Sequence, residues 1–239
     1  MTVRLFITGT DTDVGKTQVS LLLLEAFKKR GLSTAVLKPV AAGAKSKNGK
    51  LQNRDAELLK MAATADQSYA EINPSVFEAA IAPHLAANQQ GVELSVKSSM
   101  CECKPALSRA VDVLLVEGAG GWLVPLNSRE SMADLAQAMQ GKVVLVVGLR
   151  LGCISHALLS AASIKASGLE FIGWVANQVD EHVQFPTQIV TTLEQQLEAP
   201  LIGQIPYSSD LNGKLACGSG RYSAQISPLV ALIDTTKII

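Results

Sequence analysis

The sequence predicts an α/β fold, a doubly wound and mostly parallel sheet with helices on both faces, of the type that carries a phosphate-binding loop. Three observations predict it. Short apolar, β-branched runs alternate with helical patterns along the chain, the order that builds βαβ units. Hydrophobic residues make up 48% of the 239 residues but aromatics only 4%, so the core is aliphatic, which suits a parallel sheet buried on both faces. The third observation is Gly9-Thr10-Asp11-Thr12-Asp13-Val14-Gly15-Lys16-Thr17, directly after the apolar run Leu5-Phe6-Ile7.

The first strand is Val3–Ile7. It breaks into a glycine-bounded loop ending Gly-Lys-Thr, whose backbone N–H groups and following helix N-terminus hold phosphate oxygens. Asp13, Val14, Gly15, Lys16 and Thr17 are therefore expected to contact a nucleotide. Lys16 would neutralise the outer phosphates and the Thr17 hydroxyl would bind Mg²⁺. Five residues separate Gly9 from Gly15, where the common pattern has four, so the loop points to a subgroup rather than to a generic ATPase. A helix over Lys16–Arg30 follows, with Val19, Leu22, Leu23, Ala26 and Phe27 on one face. Lys28, Lys29 and Arg30 suit its C-terminal end, and Gly31 can cap it.

The remaining strands are expected at Thr34–Leu37, Val113–Val116, Val143–Val147, Gly173–Ala176 and Leu201–Ile205. Helices are expected at Asp55–Ala63, Ser131–Gln140, His156–Ser167 and Thr187–Leu197, with a last short one near Ser227–Leu232. Ala65 to Lys104, with Asn73-Pro74 and Ala82-Pro83, reads as loops and short helices inserted beside the sheet. No repeat and no linker divides the chain, so residues 1–239 are expected to form a single domain.

Composition excludes several functions. Lysine plus arginine equals aspartate plus glutamate, 21 each, which argues against a nucleic-acid or anionic-membrane partner. The longest apolar stretch, Val143 to Val147, is a strand and not a membrane span. The N-terminus runs directly into the loop motif, so export is not expected. Cys101, Cys103, Cys153 and Cys217 lack metal-ligand spacing and read as reduced cytoplasmic thiols. His84, His156 and His182 show no metal spacing and no nucleophile partner.

The chemistry-bearing candidates each follow a strand, where this architecture collects function. Lys38 closes the second strand; alone it could snorkel at the surface, but beside a phosphate loop it can serve as a second cation at a transferring phosphoryl group. Glu117 closes Val113–Val116, the place of the carboxylate that holds Mg²⁺ in phosphate-loop ATPases, and Gly118-Ala119-Gly120-Gly121 lets backbone approach a ligand. Asp55 reads as a helix N-terminal acid. Ser155, after the turn Leu151-Gly152-Cys153, reads as an N-cap whose neighbouring N–H groups could also receive a carboxylate.

Taken together, five segments resemble the dethiobiotin synthetase family. They are the loop Gly9–Thr17, Lys38-Pro39-Val40-Ala41, Val116-Glu117-Gly118-Ala119-Gly120-Gly121-Trp122, Leu151-Gly152-Cys153-Ile154 and Gly173-Trp174-Val175-Ala176-Asn177. The resemblance implies an ATP-dependent cyclo-ligase that converts 7,8-diaminononanoate and CO₂ to dethiobiotin through a carbamate and a carbamic–phosphoric anhydride. It implies Lys16, Lys38 and Thr12 at the reacting groups, and Thr17, Asp55 and Glu117 as Mg²⁺ ligands. Asn177, Pro206 and Tyr207 would surround the adenine. Gly152, Cys153 and Ser155 would bind the substrate carboxylate across a homodimer interface.

The chain departs from the family pattern at Ala42, where serine is common, at Ser155, where asparagine is common, and at Asp13, where glutamate is common. A competing reading is a partner-gated dimeric ATPase of the partitioning or septum-site type. It would want a lysine near the loop's start, where this chain has Thr10-Asp11-Thr12. An amide-forming ligase of the cobyrinate type is a third reading, and it would usually need a glutaminase domain.

Overall fold

The computed structural model describes residues 2–208 and 227–239. The chain opens with β1 (Val3–Gly9), α1 (Lys16–Lys29), β2 (Thr34–Leu37), β3 (Val40–Ala41), β4 (Lys45–Lys47) and β5 (Lys50–Gln52). It continues through α2 (Arg54–Ala62), α3 (Tyr69–Ile72), β6 (Ser75–Val76), α4 (Pro83–Gln89), α5 (Val96–Leu107) and β7 (Val113–Glu117). The described part closes with α6 (Met132–Met139), β8 (Lys142–Leu149), α7 (Cys153–Ala166), β9 (Phe171–Gln178), α8 (Pro186–Gln196), β10 (Leu201–Ile205) and 3₁₀ turns at Ser227–Leu232 and Thr235–Lys237.

Six strands form one sheet in the order β10-β9-β8-β1-β7-β2, and every neighbouring pair is parallel. All six expected strands are present. Because successive side chains point to opposite faces, each strand feeds two cores. Leu5, Ile7, Val36, Leu115, Val144, Val146 and Val175 pack against α1 and α2. Phe6, Leu37, Leu114, Val116, Leu145, Val147 and Trp174 face α5, α6, α7 and α8. This double burial is why the strands read as continuous apolar runs rather than alternating ones.

Helix α1 ends as its sequence indicates. Gly31 is left-handed (φ 75°), its N–H donates to Lys28 O, and the Leu32 N–H donates to Phe27 O, which is a Schellman motif. Asn53 caps α2, its side chain accepting from the N–H groups of Asp55 and Ala56, and Asp55 stands in the first turn as the N-terminal acid its sequence indicates. One start differs from expectation. Gly152, not Ser155, caps α7 (φ 92°), so Ser155 lies inside the first turn and is exposed.

The segment 65–104 holds more order than its sequence suggests. Helix α5 runs for 12 residues with a Ser95–Ser98 capping box, yet its buried residues are only Ser99, Cys103 and Ala106. Small and polar buried groups leave almost no apolar periodicity to detect. Cys217 and the glycines of the tail lie outside the described residues.

Cys101 is exposed, whereas Cys103 and Cys153 are buried, and burial pushes the Cys103 thiol up to about 12. Thiolate is the reactive form. Iodoacetamide at pH 8 should therefore label Cys101 in the native protein and reach Cys103 and Cys153 only in denaturant, as peptide mass mapping would show.

Candidate active site

The parallel sheet brings the carboxyl ends of its strands to one edge, and the candidate residues follow its strand order. Ile205, which ends β10, is in register with Asn177 of β9. Asn177 is in register with Gly148 of β8. Gly9 of β1 faces Val146, Ile7 faces Glu117 of β7, and Leu37 of β2 faces Val116. Residues from distant parts of the sequence thus meet along one line centred on the loop after β1.

The loop seats tightly on its neighbours. Val14 is fully buried, and a Cβ on Gly148 would lie 2.8 Å from its Cγ1. Gly15 is left-handed (φ 87°), and a Cβ there would fall 2.0 Å from Asn177 Nδ2. Only glycine meets both demands at position 15. The Asn177 amide donates to Val14 O at 2.9 Å, a bond that ties β9 to the loop, while its buried Oδ1 has no protein partner. Lys16 Nζ donates to Asp11 O at 2.9 Å. Asp11 Oδ1 accepts from the Thr12 N–H at 2.7 Å, and its other oxygen pairs with Arg150 in the turn after β8.

Beside the loop sits a buried ionic cluster. Glu117 is fully buried and Lys38 is 4% exposed. Lys38 Nζ contacts Glu117 Oε1 at 2.5 Å and Asp55 Oδ2 at 3.1 Å. Thr17 Oγ1 donates to Glu117 Oε1 at 2.9 Å, and Ser20 Oγ donates to Glu117 Oε2 at 2.8 Å. Burial works against the charged form of Lys38, but Glu117 and Asp55 outweigh it and raise its pKa. Lys16 responds in the opposite sense. Burial, reinforced by the neighbouring Lys38 charge, lowers it to about 8. Burial also opposes ionisation of Asp55, yet Lys38 holds that carboxyl below its ordinary value.

Asp55 and Glu117 place two carboxylates on the Lys38 ammonium, and the Thr17 hydroxyl bonded to Glu117 adds a third hard oxygen donor beside them. Among the described residues there is no group of three His, Cys, Asp or Glu that could cage a metal. That combination fits Mg²⁺, which takes one or two carboxylates and completes its shell with water and phosphate oxygens.

The other expected residues spread outward. Thr12 is exposed, and Thr10, Asp11 and Thr12 line a hollow of about 390 Å³ with Gly121–Pro125 and Leu159 of α7. Pro206 and Tyr207 follow β10, next to the end of β9 that carries Asn177. Gly152, Cys153 and Ser155 open α7, with Cys153 buried and Ser155 exposed. Within one chain they are not part of the Lys38–Glu117 cluster, and Arg150–Asp11 is the contact that links their turn to the loop. Ala42 is half-buried, and its carbonyl accepts from Asn53.

Comparison with known proteins follows the same lines. Residues 3–214 match the model of an AAA domain family. The chain is 48% identical over 205 residues to the ATP-dependent dethiobiotin synthetase BioD of Pseudomonas paraeruginosa, covering 86% of this chain and 90% of that one. The chain belongs to the dethiobiotin synthetase family. BioD of Cellvibrio japonicus is 49% identical over 201 residues, covering 84% of this chain and 88% of its own. BioD of Vibrio campbellii is 46% identical over 202 residues, with the same coverage. This protein is thus an ATP-dependent enzyme of that type. Among solved structures, the septum site-determining protein MinD of Pyrococcus horikoshii, complexed with Mg-ADP, overlaps 96% of both chains with a TM-score of 0.52 at 14% identity, a likeness of fold alone.

Sequence reasoning missed Ser20, Asp11 and Arg150. Ser20 stands three residues after Thr17 on the same helical face, a spacing that could have flagged it. Asp11 and Arg150 lie 139 residues apart, and nothing local announces their pairing.

Replacing Lys38 by Met leaves Glu117 buried without its counter-ion, which costs about 3–5 kcal/mol. Urea unfolding should show that loss, and the Lys38→Met/Glu117→Gln double variant should recover much of it. Additive losses in the cycle would mean the two groups do not depend on each other.

Proposed function

We propose that this enzyme closes the ureido ring of dethiobiotin from 7,8-diaminononanoate, CO₂ and ATP, with Lys16 and Lys38 as the cations and Thr17, Asp55 and Glu117 as the metal-holding set. The observation that carries the reading is the convergence of these five residues, drawn from α1, α2 and the ends of β2 and β7, beside the phosphate-loop backbone. Reading the whole chain as one domain in the cytoplasm accords with it.

The chemistry asks for concentrated positive charge and no protein nucleophile. One substrate amine adds to CO₂ and loses a proton, giving a carbamate. A carbamate oxygen attacks the γ-phosphorus, the bond to the β–γ bridging oxygen breaks, and ADP leaves. The second amine then attacks the carbonyl carbon of the mixed anhydride, the bond to the phosphate oxygen breaks, and the departing phosphate takes up the amine's proton as the ring closes. Two anions must meet in the first of these transfers. Lys16, now bonded to the Asp11 carbonyl, can turn to the outer phosphates, and Lys38 can face the carbamate and the γ-phosphoryl group. Mg²⁺ bound by Thr17, Asp55 and Glu117 would neutralise the β- and γ-phosphate oxygens. Thr12, on the rim of the hollow, orients the diamine. Tethering both amines on one chain supplies most of the advantage of the cyclisation.

For the nucleotide base, Asn177 with its unpaired Oδ1 and the adjacent Pro206 and Tyr207 form a compatible edge. The substrate carboxylate would meet the start of α7 at Gly152, Cys153 and Ser155, supplied by a second copy of the chain. An exposed apolar rim supports such a partner: Leu151 is fully exposed, Leu159 is 68% exposed and Leu123 is 62% exposed.

ADP release from MgATP should require both the diamine and bicarbonate, and Lys16→Gln should abolish it. ATP turnover that ignores the diamine would favour a partner-gated ATPase instead. Ser155→Asn lengthens the reach to the carboxylate and should tighten the diamine Kd several-fold by calorimetry; a weaker Kd would remove this turn from the carboxylate site.

A further inference from the structure

Glu117 has two oxygens in different situations. Oε1 meets Lys38 and Thr17, both of which have tasks in the proposed reaction. Oε2 receives the Ser20 hydroxyl at 2.8 Å. A mid-helix serine commonly bonds back to the carbonyl four residues earlier. Ser20 instead donates to a strand residue 97 positions away, and it is itself fully buried. The terminal torsion of a glutamate is broad and two-fold, so the carboxylate plane needs an external partner to fix it. When Lys38 turns toward the reacting groups, Ser20 is the donor whose bond to Glu117 no other step requires.

We propose that Ser20 is a positioning residue for the metal site: its hydroxyl holds Glu117 Oε2 so that Oε1 stays aimed at Thr17 and the phosphate loop. The inference rests on the reading of Glu117 as a Mg²⁺ ligand. Thr17 and Ser20 lie about one turn apart on α1, so a single rigid helix sets the metal's hydroxyl ligand and the orientation of its carboxylate together.

The test is Mn²⁺ binding to the full chain with a non-hydrolysable ATP analogue, read from the electron paramagnetic resonance signal of free Mn²⁺. Ser20→Ala should weaken Mn²⁺ about tenfold, as expected for one lost charge-assisted hydrogen bond. Analogue affinity measured in a metal chelator and the KM for the diamine should stay within twofold. Ser20→Cys keeps nearly the same volume but donates only weakly, and it should show a comparable loss. Unchanged Mn²⁺ affinity in Ser20→Ala, or a Cys variant that binds like the parent, would assign Ser20 to packing and overturn the proposal. Glu117→Gln separates the two readings. If it weakens Mn²⁺ and Ser20→Ala does not, only the Ser20 inference fails; if Glu117→Gln leaves Mn²⁺ binding unchanged, the metal site fails and this inference with it.

Discussion

A fully buried carboxylate, Glu117, organises this molecule's functional edge. An ionised group in the interior is tolerated only where its oxygens are matched by donors and an opposite charge, and that requirement reaches four elements at once. β2 must end where Lys38 can enter, α1 must present Thr17 and Ser20 one turn apart, and α2 must begin so that Asp55 shares the ammonium. The cluster therefore links the strand order to the helix starts. The loop that holds phosphate and the residues suited to a cation are parts of one bonded unit.

The same cluster balances two lysines against each other. Lys38, with two carboxylates, stays cationic despite burial, whereas Lys16, buried beside another cation, is held down to about 8. Among the described residues Lys16 has no directly paired anion, although Glu117, Asp55 and Asp13 lie near enough to act on it, and it bonds a backbone carbonyl instead. A phosphate would supply that anion. Electrostatics of this kind favour an anionic ligand without any movement of the sheet, since the cost of assembling the positive charge is met during folding.

Close packing sets the loop's shape as firmly as charge does. Val14 plugs the space above Gly148, and Asn177 reaches the loop's carbonyl across the gap that Gly15 leaves. Residues of β8 and β9, remote in sequence, thereby decide where phosphate-binding N–H groups point. This explains why the loop tolerates an unusual five-residue spacing: its geometry is held by neighbouring strands and not only by its own turn chemistry.

The chain by itself determined the six strands, the phosphate loop, α1 with its glycine stop, and Lys16, Lys38, Thr17 and Glu117 as the residues to watch. Those features are local: apolar runs, glycine spacing and strand ends carry them in a single stretch. The tertiary structure decided what depends on approach through space. It assigned the α2 cap to Asn53 and the α7 cap to Gly152, because backbone geometry at a helix start is set by how the preceding loop packs. It ordered α5, whose small buried residues leave no periodic trace. It paired Arg150 with Asp11 and Ser20 with Glu117, contacts that exist only because parallel strands bring their carboxyl ends to one edge.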